Sequence, residues 1–498
     1  VSVTGAHIRG LTRAATKAHG GGKSSDLFGD VYVIAINIAI ALGMAVGLLN
    51  YLNATIRSHD AAAGMNPLWF TLSLAVAFLG AAIGLAARLG PVNLSGGQAA
   101  WWLPMPVDRG GLVRPRFFLV LALGAALGAL GGVLLSALAS GTVVWGLVAA
   151  AALVLLLAVT ATAGAQTRPR TRRRPGAIVI GDVLMAISPV PVLLAVVLTA
   201  EPRIPGVAGG WPALAVLAAL TLASIVAVTR RLGRISGNDL RERGAVSSYA
   251  GGAVTSLDTR ELGRALNAAT APDRRRRSLG FDWVHGPVAA VVTADALLLL
   301  RSGRAIIQIL VAALIPLTVA WSGWPVWAVI VAVLLGGLLA ASATGEGARR
   351  AEMAPVLDAV FPLSAATMRR ARFVVPAIVS TAWLLLVIGL GWAWAEPPLA
   401  GWLVLALVAG PLYGAGALRS AYRKPVDWSK PLVHTPGGMA IPPGVFGAVS
   451  AGPDVVVLCG LPLWLAIGAF GPSPVVIMFQ LAATLIAYAI GTHVKKKD

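Results

Sequence analysis

The chain has 498 residues, 57% of them hydrophobic and only 12% charged, with a mean hydropathy of +0.80. A soluble protein carries about twice that charged share, so a soluble globular enzyme and a disordered chain are excluded; a single cysteine, Cys459, excludes an intramolecular disulfide scaffold. The net charge of +20 would point to nucleic acid in a soluble protein, but here its distribution along the chain decides.

Residues 1–29 carry Arg9, Arg13, Lys17 and Lys23 without an apolar core, so they read as a cytoplasmic or interfacial lead-in and not as a signal peptide. Within them, Gly20-Gly21-Gly22-Lys23-Ser24 ends like a phosphate-binding loop. The full pattern needs glycine at position 17, which is Lys17, and a preceding strand, so this run reads as linker.

A span needs about 20 mainly apolar residues, and lipid offers the backbone no hydrogen-bond partner, so each span is expected to be a helix. Twelve are expected in chain order: 31–52, 67–88, 117–139, 142–165, 177–200, 211–229, 305–322, 325–344, 373–394, 399–419, 454–470 and 474–493. Pro189, Pro191, Pro316 and Pro462 can kink their helices. The fold class is therefore all-α, a polytopic membrane protein of about 12 transmembrane helices.

With a cytoplasmic N-terminus, the outer loops hold only Arg57 and Arg203 of the 40 Lys and Arg. That asymmetry places both termini in the cytoplasm, makes the positive charge topological, and removes the nucleic-acid reading. Anionic lipid is its natural partner. Trp69, Trp145, Trp211, Trp321, Trp324, Trp327, Trp392, Trp394 and Trp402 fall near expected outer ends, as an aromatic belt would. The Ala, Gly, Arg and Val bias suggests a GC-rich bacterial genome, hence a bacterial plasma membrane.

The halves share residues at one offset. Pro67 and Trp69 recur 258 positions later as Pro325 and Trp327, Leu103-Pro104-Met105 as Phe361-Pro362-Leu363, and Arg114 as Arg372. After a length change, Asp182-Val183-Leu184 recurs as Asp454-Val455-Val456. This divides the chain into a six-span half over 1–229, a polar linker over 230–287 and a second six-span half over 288–498. Both halves start on the same side, so the repeat is expected to be parallel.

Each half opens on a lead-in, 7–29 or 284–304, and each carries a long segment between its second and third spans. In 89–116 lie Trp101, Trp102, Leu103, Pro104, Asp108, Arg109 and Arg114; in 345–372 lie Arg349, Arg350, Glu352, Asp358, Phe361, Pro362, Arg369, Arg370 and Arg372. A short helix here fits either docking to a soluble partner or resting on headgroups. The Arg cluster at 168–174 reads as a topology anchor, and 420–452 as an irregular loop.

Six scattered histidines and one cysteine offer no metal-ligand spacing. No ionisable residue falls at an expected mid-span. Asp182 and Asp454 sit near inner span ends, where pairing with arginine is expected. Asn37, Ser188, Thr381 and Gln480 are mild polar residues within spans, open to either helix packing or a substrate route.

This layout resembles the membrane subunit of a type-2 ABC exporter, on the segments Leu103-Pro104-Met105-Pro106-Val107-Asp108-Arg109 through Arg116 and Phe361-Pro362-Leu363-Ser364 through Arg372. In that family a lead-in elbow helix precedes six spans, and a coupling helix between the second and third spans sits in the ATPase. Members usually have six spans and dimerise, whereas this chain holds both halves. The resemblance implies a permease with no catalytic residue and no cofactor of its own. Two copies of a separate ABC-type ATPase, carrying ATP and Mg, would dock on the two loops, and an amphipathic lipid, peptide or antibiotic would be exported. The alternatives are a motor-free secondary transporter or lipid scramblase, and, with no supporting spacing, a lipid-modifying enzyme using Asp108, His285 or His434.

Overall fold

The computed structural model describes residues 4–19, 43, 47, 67–140, 142–168, 176–198, 210–255, 280–282, 284–321, 324–392, 399–423, 433–434, 440–441, 447 and 450–494. The expected first span, 31–52, lies outside these residues except for two isolated positions. The described residues are almost wholly helical; a two-residue β1–β2 ladder, Val433–His434 with Ala440–Ile441, is the exception. The chain divides into two compact units, with the main boundary at Arg275 and Arg276.

The first unit runs α1 (Gly5–His19), α2 (Pro67–Leu89), α3 (Gly96–Trp102), α4 (Arg109–Ser140), α5 (Trp145–Gln166), α6 (Gly176–Ile187), α7 (Val190–Leu198) and α8 (Trp211–Arg231). A 3-10 turn over Leu232–Arg234 then leads into α9 (Gly237–Thr255). The second unit runs α10 (Pro287–Leu300), α11 (Gly303–Trp321), α12 (Val326–Thr344), α13 (Glu346–Met353), α14 (Pro355–Ala359), α15 (Ala365–Trp392) and α16 (Leu399–Ala421). It closes with α17 (Pro453–Cys459), α18 (Leu461–Leu465), a π-type turn over Ala466–Phe470, and α19 (Pro474–Thr492).

Among the described residues, nine helices are long and apolar enough to cross a membrane: α2, α4, α5, α8, α11, α12, α15, α16 and α19. The chain is thus a multi-pass membrane protein, but the twelve expected spans are not all unbroken helices. The fifth span of each half is split. Residues 177–200 divide into α6 and α7 at Ser188-Pro189, and 454–470 bends by 53° at Gly460, just before Pro462. Proline supplies no backbone N–H and its ring crowds the preceding turn, so the helix ladder breaks there. Pro316, by contrast, stays inside a continuous α11.

Lipid tails are as apolar as leucine, so these helices associate through close packing and interhelical hydrogen bonds. On α2, Gly80 and Gly84 stand four residues apart on one face and receive Gly181 of α6; a Cβ on Gly181 would lie 2.6 Å from the Gly84 nitrogen. On α4, Gly128 and Gly132 do the same for α5: a Cβ at either would lie 2.7 Å from a Cα of that helix. On α16, a Cβ on Gly414 would lie 2.7 Å from the Ala377 nitrogen of α15. Polar groups join the seams: Ser224 donates to Thr160 (3.0 Å), Gln308 to Ser342 (2.9 Å), and Tyr413 to the Val333 carbonyl (3.1 Å). Gly181→Ala is therefore expected to destabilise the chain by about 1–3 kcal/mol through overpacking, read as a lower unfolding midpoint in detergent. An unchanged midpoint would show that α2 and α6 do not approach this closely.

Candidate functional site

The segments between the second and third spans are ordered, and each unit holds its own by different chemistry. In the first unit, α3 begins where the Gln98 side chain accepts the Ser95 N–H (3.3 Å). Trp102 turns inward, is buried against Leu112, Val113 and Phe117, and donates from its ring nitrogen to the Thr12 hydroxyl of α1 at 3.3 Å. Trp101 points out and is 74% exposed, and Pro104, Met105 and Pro106 follow it on the surface. Leu103 is half-buried.

Asp108 caps α4. Its carboxylate accepts the N–H groups of Gly110 (3.0 Å) and Gly111 (2.7 Å), two donors that the first turn of a helix leaves free. Helix α1 lies across this turn so closely that a Cβ on Gly5 would come 2.5 Å from the Asp108 carbonyl oxygen. Asp108→Asn is expected to keep the cap and leave stability nearly unchanged. Asp108→Ala is expected to cost about 1 kcal/mol in thermal unfolding.

A second set of contacts fixes the chain entering α3. Gln166, at the end of α5, pairs its amide with both backbone groups of Val92, accepting at 3.1 Å and donating at 3.2 Å. Asp239 and Arg243 of α9 pair at 2.9 Å, Arg243 reaches the Ala87 carbonyl, and the Leu240 carbonyl accepts the Leu94 N–H. The segment expected as linker therefore begins with a helix seated on this loop; Gly244 is needed because any Cβ there would overlap the Leu94 carbonyl. Nearby, Arg88 of α2 pairs with Asp182 of α6 at 2.5 Å.

In the second unit the organising residue is Arg372, eight positions into α15. It bonds Asp295 of the lead-in helix α10 at 3.0 Å and Asp358 of α14 at 2.7 Å. The Asp295 carboxylate also lies against Gly347 of α13, where a Cβ would overlap it. One arginine thus ties the lead-in helix, the intervening short helices and the third span. Burial pushes the Asp295 carboxyl up to about 6, the neighbouring Arg372 opposing and Asp358 adding to the rise. Burial likewise pushes the Tyr422 phenol up to about 12. Arg369 lies over the Tyr422 ring at 4.2 Å and donates to the His493 carbonyl. Around this core the surface is apolar: Val356 is 76% exposed, Val360 79%, and Met353, Phe361 and Pro362 are exposed beside them. Arg370 points outward as well.

The match of Arg114 with Arg372 needs correcting. Asp108 caps α4, and Ser364 caps α15 by accepting the Thr367 N–H (3.1 Å). Counting from these caps puts Arg114-Pro115-Arg116-Phe117 opposite Arg370-Ala371-Arg372-Phe373, an offset of 256. The two residues lost between Phe361-Pro362 and the cap produce the slip. Arg116 is thus the counterpart of Arg372, and it crosses to the chain entering α3, bonding Asn93 at 2.8 Å.

Of the four polar span residues, the three that are described each make local bonds. Asn37 lies outside the described residues. Ser188, just past the end of α6, donates back to the Met185 carbonyl (2.9 Å), and Thr381 donates within α15 to the Ala377 carbonyl (2.7 Å). Gln480, fully buried on α19, serves the broken fifth span. It accepts the Leu463 N–H (3.0 Å) and donates to the Cys459 carbonyl (3.2 Å) and to Thr484 (3.1 Å). Asp454 pairs with Arg419 at 2.6 Å, as its place near a span end suggested. Among the described residues, no three His, Cys, Asp or Glu side chains gather as a metal site would need.

A family model matches residues 60–431, from just before α2 to just after α16, so it includes both candidate loops. The chain belongs to a family of unknown function, DUF6297. No curated protein and no solved structure shows significant similarity to it. In this family member, the residues that sequence reasoning passed over are Gln166, Asp239 and Arg243, while Arg116 was named in its segment but matched to no counterpart. The repeated Arg-x-Arg-Phe was a visible signal for Arg116. Nothing in spacing alone links Gln166 to Val92, which lies 74 positions away.

Proposed function

We propose that this chain is the membrane permease of an ATP-driven export system in a bacterial plasma membrane. It moves an amphipathic substrate, a lipid, peptide or antibiotic, outward, and a separate ABC-type ATPase does the hydrolysis with its own ATP and Mg. The observation that carries this reading is a repeated arrangement. In each unit a lead-in helix packs on the first turns of the third span, and a short helical segment with exposed apolar side chains stands beside it.

On this reading two ATPase copies seat on 89–116 and 345–372, with Trp101 and with Val356, Val360 and Phe361 as the anchors that lose water. Closure of the ATPase pair presses on both segments. In the first unit the push passes through Trp102 and the Asp108 cap into α4; in the second it passes through Asp358 and Arg372 into α15 and α10. The substrate path then opens because the ATP-bound partner favours one of two conformations, and only such differential affinity can shift the balance.

The test is affinity purification of the full chain from its native membranes. An ATPase bearing a complete phosphate-binding loop is expected in the eluate, and Trp101→Asp with Val360→Asp is expected to remove it while leaving chain yield unchanged. A chain that comes away alone, and that moves lipid in vesicles without ATP, would instead support the motor-free scramblase reading.

A further inference from the structure

Where α4 begins and α8 ends, the two backbones touch: a Cβ on Gly110 would lie 3.4 Å from the Gly233 nitrogen. Five arginines flank this contact, Arg109 and Arg114 on α4 and Arg230, Arg231 and Arg234 on α8 and its 3-10 turn. All five are exposed, and none has an acidic partner among the described residues. The carboxylate beside them, Asp108, is committed to the α4 cap.

The apolar surface says what lies next to this charge. One turn beyond Arg114, Phe118 and Leu119 are exposed; one turn before Arg230, Val226 is exposed, and Leu222, a further turn back, continues that face. Both helices are long apolar spans, so these side chains face lipid tails. The arginines therefore stand at the level where tails give way to headgroups. A lipid phosphate lies at that level.

We propose that this arginine collar binds the phosphate of an anionic phospholipid whose tails lie along the exposed faces of α4 and α8. Guanidinium groups suit phosphate because they offer paired N–H donors and keep their charge. The site does not depend on the ATPase reading.

The test uses the full chain purified in a zwitterionic detergent, titrated with phosphatidylglycerol or phosphatidylcholine and read by native mass spectrometry. Preferential retention of phosphatidylglycerol is expected. The triple variant R230Q/R231Q/R234Q is expected to weaken that retention about tenfold or more. The triple lysine variant should stay within about threefold of the wild type, and R370Q, in the second unit, should match it. If the glutamine triple does not purify folded, R231Q alone is expected to show a weakening of about threefold or more. Equal retention of both lipids, equal loss in R370Q, no weakening in a folded glutamine variant, or competition by millimolar inorganic phosphate would each overturn the proposal.

Discussion

Arg372→Gln is expected to destabilise the chain by about 3–5 kcal/mol, because it leaves two carboxylates, Asp295 and Asp358, partly buried and without their shared cation. Asp295→Asn together with Arg372→Gln should be less damaging than Arg372→Gln alone, since only Asp358 is then left without its cation. A pH series sharpens the test. Below about pH 4 the Asp295 carboxyl is protonated in both the folded and unfolded chain, and its contribution to stability is fully present. Between its ordinary value of 3.8 and about 6 the folded chain keeps a proton that the unfolded chain has lost. Stability is therefore expected to fall as pH rises through that window, and to level above it. Asp295→Asn should flatten the slope, and Arg372→Gln should carry the fall to higher pH. Thermal midpoints in detergent from pH 4 to 8 read all of these. A slope unchanged in Asp295→Asn would remove Asp295 from the account.

Gln480→Met is expected to cost about 2–4 kcal/mol. Methionine fills nearly the same volume but offers neither the acceptor for the Leu463 N–H nor the donor for the Cys459 carbonyl. Two backbone groups at the bend would then be left unpaired in an apolar setting. Thr484→Val, which removes a partner of Gln480 but leaves both backbone bonds, should cost clearly less. Unfolding in mixed micelles measures both. A Gln480→Met chain of normal stability but altered transport would place Gln480 on a substrate path instead of at a structural clamp.

Much of the architecture was legible because lipid permits so few structures. Apolar length located nine unbroken spans among the described residues, and the lead-in of the second half emerged as a separate helix, α10, divided from α11 at Arg301 and Ser302. The prolines at 189 and 462 marked the two broken spans, but an uninterrupted apolar run hides whether a helix yields there, and Pro316 does not break its own. Within the candidate loops, Trp101 and Trp102 look equivalent in sequence, yet one is exposed and the other is core, because a helix turns adjacent side chains by about 100°. Asp108 read as a candidate for chemistry or docking; its position directly before a helix was the clue to its capping role. The Arg372 cluster joins residues 77 and 14 positions apart, and the Gln166 clamp spans 74, distances at which no local periodicity speaks.

If the two halves are similarly oriented, as the proposed permease requires, both candidate docking loops face the same compartment. The chain's single cysteine makes the measurement direct. In a Cys459→Ala background, one cysteine is placed at Trp101 in one chain and at Phe361 in another. Each is exposed to a membrane-impermeant maleimide in sealed right-side-out and inside-out vesicles. Both positions are expected to label only in inside-out vesicles. Labelling of 101 and 361 from opposite faces would contradict that orientation.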